Sequence, residues 1–173
     1  AVSGTLGYSY AGLDLLEGGH VDPSARGVEQ LGDLAPFVET YRAPSPPLGS
    51  GVAAAAAGAR AMMDLSDGPA ADATRIAKAS GVVIEFDRPA IEEEAWHLQA
   101  PALICRADPV RWVLQGGEEH GMLAVFPQDA RLPEGFRVLG RARACESGEE
   151  PCAMFDGEVL RGAWDHFQTD SVD

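Results

Sequence analysis

The sequence predicts an α+β domain in which a mixed sheet is covered by helices. Three observations carry that expectation. The chain has 173 residues, 46% of them apolar, enough for one buried core and too apolar for disorder. Its strand-like and helix-like segments follow one another irregularly, with several strands gathered near the end, which is not the rhythm of a parallel βαβ series. Its turn residues punctuate those segments at short intervals.

Taken in order, Val2 to Leu6 reads as the end of a strand and Tyr8 to Leu16 as a short helix closed by Gly18 and Gly19. A loop from Val21 to Gly27 precedes a helical stretch from Val28 to Arg42, which Pro36 interrupts, with Asp33 as a candidate cap before it. The connector "APSPPLGSG" is stiff and non-helical because each residue before a proline is pushed out of helical geometry. "VAAAAAGAR" is a small-sided helix, and Ala61 to Leu65 a buried strand by composition. Pro69 to Ser80 is an amphipathic helix with Ala73, Ile76 and Ala77 on one face and Gly81 as its stop. "VVIEFD" is a strand, and "PAIEEEAWHLQA" a helix with acids in its first turn. Asp108 and Pro109 start a short helix to about Leu114; "MLAVF", "FRVLGRARA" and the "FDGEV" hairpin supply the remaining strands.

The charge balance removes whole classes of function. Twenty-seven acids against 13 Lys and Arg give a formal net charge of −14, leaving no basic face for a nucleic-acid backbone. No apolar run reaches membrane-spanning length and no signal pattern opens the chain, so the expectation is a cytoplasmic protein that engages neither nucleic acid nor membrane. Cys105, Cys145 and Cys152 are an odd number without a C-x-x-C pair, which reads as three reduced thiols.

The stretch "MMDLSDG" carries the most chemistry. It can be simply a capped strand-to-helix turn. It can equally present free helix-terminal N–H groups to a phosphate, with Asp64 and Asp67 as hard oxygen ligands for a bridging Mg²⁺ and Ser66 as a hydrogen-bond donor. It is not a lysine-bearing phosphate loop, so a metal would have to supply the positive charge. "QGGEEHG" reads either as a solvated turn or as a glycine hinge bringing Glu118 to a ligand. In the tail "GAWDHF", Trp164 and Phe167 face either a core or a flat heteroaromatic ligand. His20, His97, His120 and His166 fall in no metal-ligand spacing and read as surface or packing residues.

In this order, "SGTLGYSYAGL", "PSPPLGSG", "MMDLSDGPAADATRIAKASG", "LQGGEEHGMLAVF" and "GAWDHF" resemble the C-terminal half of the thiamine-monophosphate kinase family, within the aminoimidazole ribonucleotide synthetase-related superfamily. The resemblance covers essentially the whole chain. It implies a three-layer α/β/α domain around a mixed, largely antiparallel sheet. It also implies direct transfer of the γ-phosphoryl of ATP onto thiamine monophosphate, giving thiamine diphosphate, in a site containing Mg²⁺. By matching positions, it makes Asp64 and Asp67 metal ligands, Ser66 a nucleotide contact, and Glu118 and Trp164 contacts to thiamine monophosphate. Residues 1–173 would be the C-terminal domain, starting inside its first strand. The N-terminal metal-binding domain, through which the family forms homodimers, is absent from this chain, and the isolated domain is expected to be inactive.

The sequence departs from the family pattern where Glu119, His120 and Gly121 replace the usual Asp-Tyr-Glu, where Tyr8 replaces Asp, and where Pro47 and Pro69 replace Arg and Leu. Two other readings are weighed: a superfamily member acting on selenide, a carbamoyl group or a purine precursor, and a non-catalytic ligand-binding or interaction domain. The presence of both Asp64 and Asp67 counts against the last, since unscreened carboxylates side by side repel.

Overall fold

The computed structural model describes residues 1–160. The helices are α1 (Tyr8–Glu17), α2 (Gly27–Leu31), α3 (Ala35–Arg42), α4 (Ser50–Ala56), α5 (Pro69–Ser80), α6 (Arg88–Trp96), α7 (Gln99–Cys105) and α8 (Pro109–Gln115). The strands are β1 (Ala61–Asp64), β2 (Val82–Phe86), β3 (Met122–Val125), β4 (Gly140–Ala144), β5 (Ala153–Phe155) and β6 (Glu158–Val159). Among the described residues, no helix is long and apolar enough to cross a membrane.

The strands form a β1–β3 ladder and a sheet ordered β4–β2–β5–β6, in which only β2 and β5 run parallel. Val2 forms isolated antiparallel bridges to Leu123 of β3 on one side and to Arg137, three residues before β4, on the other. The expected mixed, largely antiparallel sheet is therefore present, with Val2 alone representing the strand expected over Val2 to Leu6. Helices lie on both faces. α5 packs on β1, β2, β3 and β5 through Ala73, Ile76 and Ala77, which share a core with Leu123, Ile84 and Phe86. α4 lies over the other face of the β1–β3 ladder, where a Cβ on Gly51 would come within 3.2 Å of the Met122 methyl. This is the three-layer arrangement. Burial of the larger core side chains contributes roughly 1.5–3 kcal/mol each.

Several boundaries match the residues that set them. α5 begins at Pro69 and is stopped by Gly81 in the left-handed region at φ 65°. Asp108 caps α8 by accepting from the Val110 amide at 2.9 Å. Asp156 and Gly157, both at positive φ, make the tight turn between β5 and β6.

Other expectations are corrected. The helix read from Val28 to Arg42 is broken by a 3-10 turn over Gly32–Leu34, and α3 is entered from Leu34 instead of being capped by Asp33. The helix read over residues 89–100 stops at Trp96, and α7, which the sequence reading did not give, begins at Gln99; Pro101, whose ring would clash with the His97 carbonyl in a continuous helix, keeps the two apart. Because α6 starts at Arg88, Glu92 to Glu94 lie beyond its first turn. β1 is half-buried, not buried: its exposure alternates and Met62 is 42% exposed, because among the described residues it pairs only with β3.

Candidate functional site

The two motifs singled out in the sequence lie side by side. The segment Asp64–Pro69 leaves β1 and turns into α5, while Gly116–Gly121 leaves α8 and turns into β3. Because β1 and β3 are antiparallel neighbours, their ladder continues into these turns. The Leu65 amide donates to the Gly121 carbonyl at 2.8 Å, the His120 amide to Leu65 at 3.1 Å, and the Glu118 amide to Ser66 at 3.0 Å. The approach requires glycine on both sides. A Cβ on Gly117 would lie 2.1 Å from the Ser66 carbonyl oxygen, and one on Gly68, at φ 93°, would lie 2.7 Å from the Gly116 carbonyl oxygen.

Asp64, Ser66, Asp67 and Glu118 are thereby gathered at one end of the β1–β3 ladder. Asp64 and Glu118 are 57% and 73% exposed at the side chain, so both carboxylates face solvent. Glu118 and His120 hold positive φ values of 71° and 52°. Such left-handed non-glycine residues cost on the order of 1–3 kcal/mol each and are found where a side chain must be aimed. Ser66 is half-buried. Trp164 lies outside the described residues.

Four further residues shape the site, and the sequence reading gave none of them a role. Asp72, fully buried in the first half of α5, accepts from the Ser66 amide at 3.1 Å and the Asp67 amide at 3.2 Å. Two turn amides that a phosphate would otherwise use are thus already bound to a carboxylate of the chain itself. Burial raises the Asp72 carboxyl above its usual range, opposed by the Asp67 amide and by Arg75. Arg75, one turn on, pairs with both Asp72 and Asp67. A signal existed for Asp72: it stands four residues before Ile76, on the helix stripe that faces the core. Arg75 is three residues beyond it, in pairing range on the same helix.

His120, expected at the surface or in packing, is half-exposed between two carboxylates. Its Nδ1 lies 3.3 Å from Asp64 Oδ2 and its Nε2 lies 3.7 Å from Glu118 Oε2. Glu119 points the other way and is 4% exposed. Its Oε1 accepts from the Ser9 amide at 2.9 Å, capping α1, whose own cap residue Gly7 has no side chain to do so. Burial pushes the Glu119 carboxyl up to about 7, against the opposing pull of the amides at the start of α1. No local pattern announces a cap supplied from 110 residues away.

Among the described residues, no group of three or more His, Cys, Asp or Glu side chains is gathered to hold a metal ion. The donor set fits a hard divalent cation in part: Asp64 is an exposed carboxylate, while Asp67 has one oxygen committed to Arg75. A magnesium ion here would need further oxygen ligands from its substrates or from other parts of the protein.

No protein-family model matches the chain. It is 41% identical over 155 residues to a thiamine-monophosphate kinase of Mycobacterium tuberculosis, an alignment covering 87% of this chain and 43% of that relative. Among solved structures, thiamine monophosphate kinase from Aquifex aeolicus matches with a TM-score of 0.72 at 27% identity, over 92% of this chain and 50% of that one. A structure of AaThiL complexed with AMPPCP and TMP matches with a TM-score of 0.64 at 26% identity, over 96% of this chain and 50% of that one. The chain is therefore a relative of thiamine-monophosphate kinases along most of its own length, and it spans about half the length of the relatives it matches.

Proposed function

We propose that this chain is the C-terminal half of an ATP-dependent kinase that converts thiamine monophosphate to thiamine diphosphate by direct phosphoryl transfer. The observation that carries the reading is the pairing of the Asp64–Asp67 turn with the Gly116–Gly121 loop, in a chain 41% identical to a kinase of that name. The pairing brings Asp64, Ser66 and Asp67 into one small area with the exposed carboxylate of Glu118.

Each residue has a defined task in this reading. Asp64 and Asp67 hold Mg²⁺, Ser66 donates to a nucleotide oxygen, and Glu118 and Trp164 contact the thiamine phosphate. Bound magnesium supplies the positive charge that a chain of net charge −14 lacks toward two phosphorylated substrates. The chain's own contribution is positioning. The Ser66–Glu118 link fixes the distance between the nucleotide side and the acceptor side, and Asp72 holds the turn amides in place. Phosphoryl transfer is governed by alignment and charge neutralisation, so a site without a protein nucleophile suits it. In this reading the exposed carboxylate of Glu118 pairs with the positively charged thiazolium heterocycle and Trp164 supplies a cation–π contact to it. The complete protein is the homodimer expected of the family, working in the cytoplasm, and the isolated chain is inactive because the other half carries the remaining metal ligands.

The test uses the complete protein with ATP, Mg²⁺ and thiamine monophosphate. Glu118→Gln is expected to raise the KM for thiamine monophosphate at least tenfold while leaving that for ATP nearly unchanged. An unchanged KM for thiamine monophosphate removes Glu118 from the acceptor site.

A further inference from the structure

The two sheets leave a slot between them. β3 pairs with β1 along one edge and β4 is the outer strand of its sheet, so both turn an open edge to the slot. At one end the gap is already filled. Val2 exchanges two hydrogen bonds with Arg137, at 2.9 and 3.0 Å. On its other side Ala1 exchanges two with Ala124, and the Ser3 amide donates to the Met122 carbonyl, all at 2.9 Å. One backbone therefore fits between the two edges at ordinary strand spacing. Beyond Ala1 the gap continues as a cavity of about 480 Å³, bounded by residues 123–127 on one side and 138–142 on the other. Its lining is mostly apolar, with Ile84, Phe86 and Leu139 buried and Val138 56% exposed.

Both edges carry free backbone groups at matched positions. Gly121 accepts from Leu65, so the odd-numbered residues of β3 bond β1 and alternation turns the Phe126 amide and carbonyl into the slot. On the other edge Leu139 accepts from Asp87, so Arg141 faces β2 and Ala142 faces the slot. Pro127 has no N–H and ends the β3 side.

We propose that an extended strand fills this slot: the residues that directly precede Ala1 in the complete protein, running antiparallel to both β3 and β4. The occupant rests on the reading of this chain as one half of a longer kinase, and the slot is where the other half enters. The bonded pairs at Ala1 and Val2 fix direction and register, so the second residue before Ala1 pairs with Phe126 and the third with Ala142. Edge amides and carbonyls are satisfied by an extended backbone and not by an apolar small molecule. Arg141 pairs with Glu85 at 2.7 Å, and the wall holds no other charged side chain to recruit a charged ligand. With the strand in place the two sheets become one, ordered β1–β3–added strand–β4–β2–β5–β6. The strand leads directly into Ser3, and a Cβ on Gly121 would lie 2.2 Å from the Ser3 carbonyl oxygen. The join between the halves thus bears on the loop that carries Glu118.

The test is hydrogen exchange in the complete protein, read at the Phe126 and Ala142 amides. Both are expected to exchange at least a hundredfold more slowly than unstructured amides. Prolines at the second and third positions before Ala1 remove the two donors and should release both amides at least tenfold, while Leu123 and Val125, bonded to β1, stay protected. Thiamine diphosphate formation is assayed separately. Protection without turnover keeps the strand and removes the kinase reading, and turnover without protection does the reverse. The proposal is overturned if Phe126 and Ala142 exchange at the unstructured rate in the wild type, a result that needs no variant to fold. It is equally overturned if the proline variant protects them as well, or if dilution releases them with the rest of β3 intact, which would place a second copy in the slot.

Discussion

Replacing Asp72 with alanine tests whether the candidate site is held together from within α5. The side chain is fully buried and accepts from two amides, Ser66 at 3.1 Å and Asp67 at 3.2 Å. A hydrogen bond to a charged acceptor is worth about 1.5–3 kcal/mol. Taking the low end for each, because the turn is half-exposed and water can reach it, the loss is about 3 kcal/mol. Relief of the carboxylate's own desolvation, seen in its raised pKa, offsets part of this and leaves about 2–3 kcal/mol. Arg75 keeps Asp67 as a partner and is half-exposed, so it adds little. For a domain of this size the expected fall in Tm is about 5–10 °C. The same free energy, read locally, should speed hydrogen exchange at Ser66 and Asp67 by roughly 30–150-fold, at about 1.4 kcal/mol per factor of ten. Asp72→Asn should do less, since its amide oxygen still accepts. Thermal unfolding by circular dichroism and exchange by NMR read both effects. A Tm within about 2 °C of wild type, with protection at both amides unchanged, would refute the role given to Asp72.

Gly117→Ala places a Cβ 2.1 Å from the Ser66 carbonyl oxygen, so the two turns must separate. The expected result is loss of protection at the Glu118 and His120 amides and destabilisation of more than about 2 kcal/mol in urea unfolding. Glu119 gives the pH dependence. Its folded pKa, about 7, stands above the ordinary 4.5, so the fold favours the neutral acid. The stability this group contributes is full below about pH 4.5 and is lost as pH climbs through about 7, a change on the order of 3 kcal/mol. Glu119→Gln cannot ionise, so its stability relative to wild type should rise by that amount between pH 4.5 and 8 in paired urea titrations; parallel curves would contradict the assignment. In the complete protein, His120→Ala removes the ring between Asp64 and Glu118 and should alter the magnesium dependence of turnover with little change in Tm; an unaltered dependence makes His120 a bystander.

Much of the fold was legible because it rests on local rules. Pro69, Gly81 and the Asp156–Gly157 pair mark their boundaries through backbone geometry that the sequence displays directly. The failures fall where a neighbour in space decides. β1 looks like a buried strand by composition while its position in the sheet leaves Met62 exposed, and α7 packs against α1 in a stretch where the sequence reading gave no helix. The site divides the same way. Asp64, Ser66, Asp67 and Glu118 were singled out by motif, and the antiparallel β1–β3 pairing brings them together. Asp72 was hidden within an ordinary amphipathic helix. Glu119 is the same residue type as its neighbour Glu118, and only the backbone of one short loop sends Glu118 to solvent and Glu119 to the interior. Only the pairing across the chain decides which acid is which.

The central claim is tested most directly by turnover of the complete protein supplied with ATP, Mg²⁺ and thiamine monophosphate, with thiamine diphosphate followed as product and Asp64→Asn run beside it. The account predicts that the wild type forms thiamine diphosphate, while the variant keeps its folded circular dichroism spectrum and loses at least a hundredfold in kcat. A folded wild type that makes no thiamine diphosphate, or an Asp64→Asn variant that turns over like the wild type, would contradict it.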